Sequence, residues 1–245
     1  WNDAYWERFE RFLRLTHERN IIVQVELWDP WDLKPDLWGD HPFNPARNVN
    51  YTAAESGLQT RFDAAPGAGP SGLRFFLTVP GLGDNRPVLG YQDAFADKVL
   101  SYALRFPHVL YTINNESGEP LEWSGYWARF IRRRALEKGV EVHVTDMRRP
   151  NDLQHDQHCH IQNQPDLYSF IEVSQNNGGQ AAELPGAQRL EAPPEGGVGL
   201  PPCEELPHGR SLTTALPGKR AHGPPSRPDG ALACLRAGAP ALAVR

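Results

Sequence analysis

The sequence predicts an α/β protein built on a parallel sheet with covering helices. Three observations predict it. Residues 1–177 run in the order helix, strand, long loop, helix, strand, helix, strand, loop, strand, the alternation that parallel sheets require. The run Val109 to Ile113 ends in Asn114-Asn115-Glu116, and a helical pattern opens soon after, at Trp123. The composition changes sharply near residue 177, which bounds the folded part.

The elements follow in order. Residues 3–18 read as a helix, with Tyr5, Phe9, Phe12 and Leu13 at helical spacing and Glu7, Arg8 and Arg11 elsewhere around it. Residues 21–28, Ile-Ile-Val-Gln-Val-Glu-Leu-Trp, read as a β-branched strand. A long segment from Asp29 to about Gln92 carries Pro30, Pro35, Pro42 and Pro45 and many aromatics, among them Trp38 and Tyr51. A loop of that length on a compact domain is usually functional. Residues 93–105 read as a helix with Phe95, Val99, Leu100 and Ala103 on one face, and 108–114 as a strand. Residues 123–138 read as a helix that turns Trp123, Trp127, Phe130 and Ile131 inward and stops at Gly139. Residues 140–146 alternate as a strand, and 167–174 form the last strand expected.

Residues 178–245 differ in kind. All 24 aromatics lie before residue 171, and 178–245 hold 11 of the 23 Pro and 11 of the 22 Gly. Such a segment is expected not to form a packed core. Two readings of it stand: a natural disordered extension, or a GC-rich gene read out of frame. The second accounts for a break that falls inside the βα alternation. The chain also opens at Trp1 inside an amphipathic pattern, so it is expected to be a fragment at both ends.

Charge and cysteine content narrow the function. The net charge is −5 with no basic stripe, which gives nucleic-acid binding no support. No run of 18 apolar residues exists, so no membrane span is expected. Cys159, Cys203 and Cys234 are scattered and odd in number, so no disulfide framework follows.

Glu116 is the leading candidate for chemistry. A strand would carry it to the C-terminal lip of the sheet, where barrel enzymes keep their catalytic groups. A carboxylate there, with the amide side chain of Asn115 beside it, suits acid/base work on a polar substrate. The plainer reading is an acid that caps the next helix. Trp28, Asp29, Trp31 and Asp32 close the preceding strand. Aromatic faces stack on sugar rings and acids bind their hydroxyls, with core packing the alternative for either tryptophan. Asp146 closes the strand 140–146 and could bind hydroxyls or orient Glu116, or pair with Arg148 or Arg149. Glu172 lies within the last strand, as a buried polar residue or a second carboxylate. Ser174, Gln175, Asn176 and Asn177 form a polar cluster suited to hydroxyls, or a turn. His155, Asp156, His158, Cys159 and His160 invite a zinc reading, but they fall in a stretch read as an exposed polar loop, so no metal and no cofactor is expected. Neither a phosphate loop nor a serine nucleophile elbow is present.

Several motifs together resemble cellulase-like glycoside hydrolases of the retaining (β/α)8-barrel superfamily. They are His41-Pro42-Phe43-Asn44-Pro45, Asn48 to Thr52, Asn114-Asn115-Glu116, Trp123 to Ile131, Thr145-Asp146-Met147 and Ser174 to Asn177. The resemblance covers roughly residues 1–177. It implies a partial TIM barrel in which 21–28, 108–114, 140–146 and 167–174 are strands three to six, followed by a disordered or non-native tail. It implies that Glu116 is the acid/base and Asn115 its neighbour. The nucleophile of such enzymes ends strand seven, and no position here matches it, so the fragment itself is expected to be inactive. The implied partner is a carbohydrate, a polysaccharide or oligosaccharide, and the implied setting secreted or periplasmic. A carbohydrate-binding barrel that does not cleave, and a metal-dependent hydrolase, are the alternatives.

Overall fold

The computed structural model describes residues 1–62, 74–174 and the backbone of 232–236. Four parallel strands, β1 (Ile22–Trp28), β2 (Val109–Asn114), β3 (His143–Thr145) and β4 (Leu232–Arg236), form one open sheet in the order β3-β2-β1-β4. The helices are α1 (Asp3–His17), the one-turn α2 (Pro35–Trp38) and α3 (Ala53–Ser56), then α4 (Arg86–Ala103), α5 (Leu121–Glu137) and α6 (Asp156–Gln162).

Alternation in the strands separates two faces. Val23, Val25, Leu27, Val109, Tyr111, Ile113 and Val144 join one hydrophobic core with the helices. Helix α1 packs on β1, α5 packs on β2 and β3, and α4 lies between, touching both helices, so all three cover the same face. The opposite face carries Gln24, Glu26, Thr112 and Thr145, all buried. Each helix turns its apolar stripe to the core. In α1, capped by the Asn2 side chain, that stripe is Trp6, Phe9, Leu13 and Thr16, one step around from the stripe expected through Tyr5 and Phe12. In α4 it includes Phe95, Val99, Leu100 and Ala103, and in α5 Trp123, Trp127, Phe130 and Ile131, as their spacing predicts.

The expected barrel is absent: the described strands form an open sheet, and the strand expected over 167–174 does not form. Closure needs a continuous, staggered ladder. Beside β3 the ladder gives way to side chains. The Ser169 amide donates to the Val144 carbonyl at 2.8 Å, but the Val144 amide donates to the Ser169 hydroxyl at 3.3 Å. The Thr145 hydroxyl donates to the Phe170 carbonyl at 2.6 Å, and Arg132 holds the Leu167 carbonyl and the Ser169 hydroxyl at 2.7 and 2.8 Å. Residues 167–174 therefore lie against β3 as irregular chain.

Three other boundaries moved for local reasons. Strand β3 is three residues, not the seven expected over 140–146. The Val140 amide donates back to the Ala135 carbonyl, closing α5 behind the left-handed Gly139, so the strand cannot start there. At the other end, the Asn114 amide donates to the Asp146 carboxylate in place of a ladder carbonyl. Helix α4 starts seven residues before the expected 93 because Asn85 caps it and a proline occupies its first turn. The histidine-bearing stretch, expected as a polar loop, is α6, capped by His155. Of residues 178–245, only 232–236 are described, as β4 paired with β1.

One turn before α4 depends on its glycine. Gly83 has φ of 128°, and a Cβ there would overlap the Leu77 carbonyl oxygen, a backbone atom that cannot swing away. Gly83→Ala is expected to cost more than about 1 kcal/mol, read as a lower urea midpoint with an unchanged slope.

Candidate functional site

Parallel pairing brings the ends of β1 and β2 side by side, with Trp28 in register with Asn114. The Asn115 amide continues the pairing by donating to the Trp28 carbonyl at 3.0 Å. Its side-chain amide donates to the Asp29 carboxylate at 3.3 Å, and the same carboxylate oxygen accepts from the Trp31 amide at 2.9 Å. Asp29 thereby caps the 3-10 turn Pro30–Leu33 and ties the two strand ends together.

Glu116 follows at this seam, half-buried, in the left-handed region with φ of 45°. Glutamate gains nothing local from that conformation, unlike glycine. Bonds on both sides hold it there. Asn115 is tied to β1, the Ser117 amide donates to the Met147 carbonyl at 2.8 Å, and the Arg149 amide donates to the Ser117 carbonyl at 3.1 Å. The Glu116 carbonyl accepts from Arg149 Nε at 3.4 Å. Strain of this kind is retained where surrounding structure over-determines it, and it clusters at functional sites.

Asp146 turns inward rather than toward this rim. It is buried with Arg148 in an ion pair of 2.7 Å, both side chains wholly shielded from solvent. Its other oxygen accepts from the Asn114 amide and side chain, each at 3.2 Å. Arg148 spends its remaining donors on the Ser124 hydroxyl (3.2 Å), the Gln157 side chain (3.1 Å) and the Glu119 carbonyl (2.6 Å). The carboxylate and guanidinium thus join β2, β3, α5 and α6 below the rim, and Asp146 has no surface left for a ligand.

The two tryptophans differ. Trp28 is core: its ring lies 4.9 Å from Trp127, 5.2 Å from Phe95, 5.7 Å from Phe75 and 5.8 Å from Trp123. No face of it is open to a sugar. Trp31 is half-exposed, with Lys34 Nζ over its ring at 3.8 Å and the Arg149 guanidinium at 5.5 Å. Asp29 and Asp32 line a cavity of about 20 Å³ with Trp28 and His41, room for one water. Burial lowers the His41 pKa to about 3, so this imidazole is neutral.

Glu172 accepts from Gln24 at 3.1 Å and from the Ser174 amide at 2.8 Å, in irregular chain. Gln175, Asn176 and Asn177 lie outside the described residues. The histidines serve separately: His155 caps α6, His158 is bonded to the Pro150 carbonyl, and His160 to Gln164. Among the described residues no group of three or more His, Cys, Asp or Glu could hold a metal ion, and no helix is long and apolar enough to cross a membrane. A larger cavity, about 330 Å³, lies at the other end of the sheet, where β2 and β3 begin.

Sequence reading missed Glu119. Burial pushes its carboxyl up to about 7, against the pull of Arg148 and Arg149. The signal was available in Glu116-Ser117-Gly118-Glu119, two acids three residues apart in the loop that leaves β2. A raised carboxyl pKa disfavours the charged form in the fold, so stability falls as pH rises from the ordinary 4.5 toward 7. Glu119→Gln is expected to flatten that decline, measured by urea unfolding across the same pH window.

No protein family, curated protein or solved structure matches this chain.

Proposed function

We propose, against the inactivity expected above from the missing nucleophile, that this protein hydrolyses glycosidic bonds in a polysaccharide or oligosaccharide, with Glu116 as the acid/base. The observation that carries this reading is the pinned, left-handed Glu116 at the seam of β1 and β2. Its backbone is held from both sides while its carboxyl is bonded to no described residue. Asn115 and Asp29 stand beside it as hydroxyl partners, and Asn115 is already oriented by that aspartate. Glu119, with a pKa near neutrality, supplies a second titratable carboxyl on the same loop. Acid/base catalysis works best with a group that titrates near the working pH.

A reading in which carbohydrate is bound but not cleaved is favoured by one observation. Glu172, the acid considered as a second carboxylate, is engaged by Gln24 and Ser174, and Asp146, considered as a partner for hydroxyls or for Glu116, is engaged by Arg148 and Asn114. Turnover separates the two readings. Hydrolysis of any aryl glycoside in a broad panel by the purified chain supports catalysis. Saturable oligosaccharide binding with no turnover leaves the binding role.

A further inference from the structure

We propose that the rim beside Glu116 receives an anionic sugar unit, its carboxylate or sulfate group held between Lys34 and Arg149. This rests on the carbohydrate reading above and names the substrate class. Both cations lie over one indole, Lys34 Nζ at 3.8 Å and the Arg149 guanidinium at 5.5 Å from the Trp31 ring centre. The ring's negative π-cloud attracts both charges. Neither charge is spent on an acid: no ion pair joins Lys34 or Arg149 to a carboxylate among the described residues. Arg149 is exposed, and its Nε bonds only the Glu116 carbonyl, which places its charge next to the candidate acid/base.

Charge and shape agree. A neutral sugar would seek an open aromatic face, and here cations occupy the ring. An anion beside this ring would be attracted by both cations, and a guanidinium offers paired donors to a carboxylate or sulfate. Two neighbouring acids do not fill that role. Asp29 accepts from Asn115 and the Trp31 amide, and the Glu119 carboxyl, pushed up to about 7, is only partly ionised near neutral pH.

The test is calorimetric titration of the Glu116→Gln protein, which removes the proposed acid/base, with trigalacturonate, a sulfated galactan trisaccharide and cellotriose. An anionic trisaccharide is expected to bind about tenfold tighter than cellotriose, the scale of one charged hydrogen bond. That advantage should shrink with salt and disappear in Lys34→Gln and Arg149→Gln, two surface changes checked by unaltered melting. The better-bound anion, carboxylated or sulfated, identifies the group. Equal binding of cellotriose, an advantage that survives both substitutions, or no binding of any trisaccharide overturns the proposal. Hydrolysis of neutral glycosides by the unaltered protein would leave catalysis standing while this inference fell. Anion-selective binding without turnover would do the reverse.

Discussion

Arg148→Ala is expected to lower the unfolding free energy by about 3–5 kcal/mol, the cost of leaving one member of a buried ion pair alone. The Asp146 carboxylate would keep its bonds to Asn114 but lose the guanidinium that pairs with it. The Glu119 carbonyl, the Ser124 hydroxyl and the Gln157 side chain would lose a donor at the same time. Against a typical domain stability of about 5–15 kcal/mol, that loss is a large fraction of the whole. Urea unfolding measures it, and a second variant separates charge from packing. Asp146→Asn combined with Arg148→Met removes both charges, and should recover part of the loss. A fall of less than about 1 kcal/mol in Arg148→Ala would show that water reaches the pair and that the network is not what joins β3 to α5.

The second large effect concerns rate. Glu116→Gln is expected to reduce kcat by about 100- to 10,000-fold on a glycoside with a poor leaving group, the usual contribution of a positioned acid/base. On an activated aryl glycoside the drop should be smaller, because that leaving group needs less protonation. Stability should hardly change. The bonds that fix residue 116 are backbone bonds of Asn115, Ser117 and Arg149 plus the Glu116 carbonyl, and glutamine keeps them all. The paired measurement is therefore turnover on both substrates and the urea midpoint. An unchanged rate on both substrates would remove Glu116 from the chemistry and turn attention to Glu119.

Much of the fold was legible because it rests on apolar periodicity. The inward faces of α4 and α5, and the strands β1 and β2, follow from spacing alone. The failures are places where one polar side chain replaced a backbone partner. Asp146 ends β3 by accepting from the Asn114 amide, and Asn85 starts α4 early. Ser169 meets Val144 with a hydroxyl, so 167–174 is not a strand despite its composition. A barrel inferred from motif likeness assumed a ladder where side chains stand. At the rim, the nearness of Asn115, Glu116 and Asp29 was readable, because each follows a parallel strand. The inward turn of Asp146 was not, since nothing in Thr145-Asp146-Met147 says which face a strand-end acid takes. Nor could the sequence foretell that Trp28 would be walled in by five other aromatic rings while Trp31 stayed near the surface.

The serine beside β3 also bears on what this protein can associate with. An edge strand normally offers a row of free donors and acceptors to any other chain in extended form, which is how sheets from separate molecules fuse. Here the Val144 amide and carbonyl are both occupied by Ser169, and the Thr145 hydroxyl reaches over to Phe170. An incoming strand would have to displace residues that Arg132 anchors from α5. That edge is closed to templated growth by means of one hydroxyl and one guanidinium.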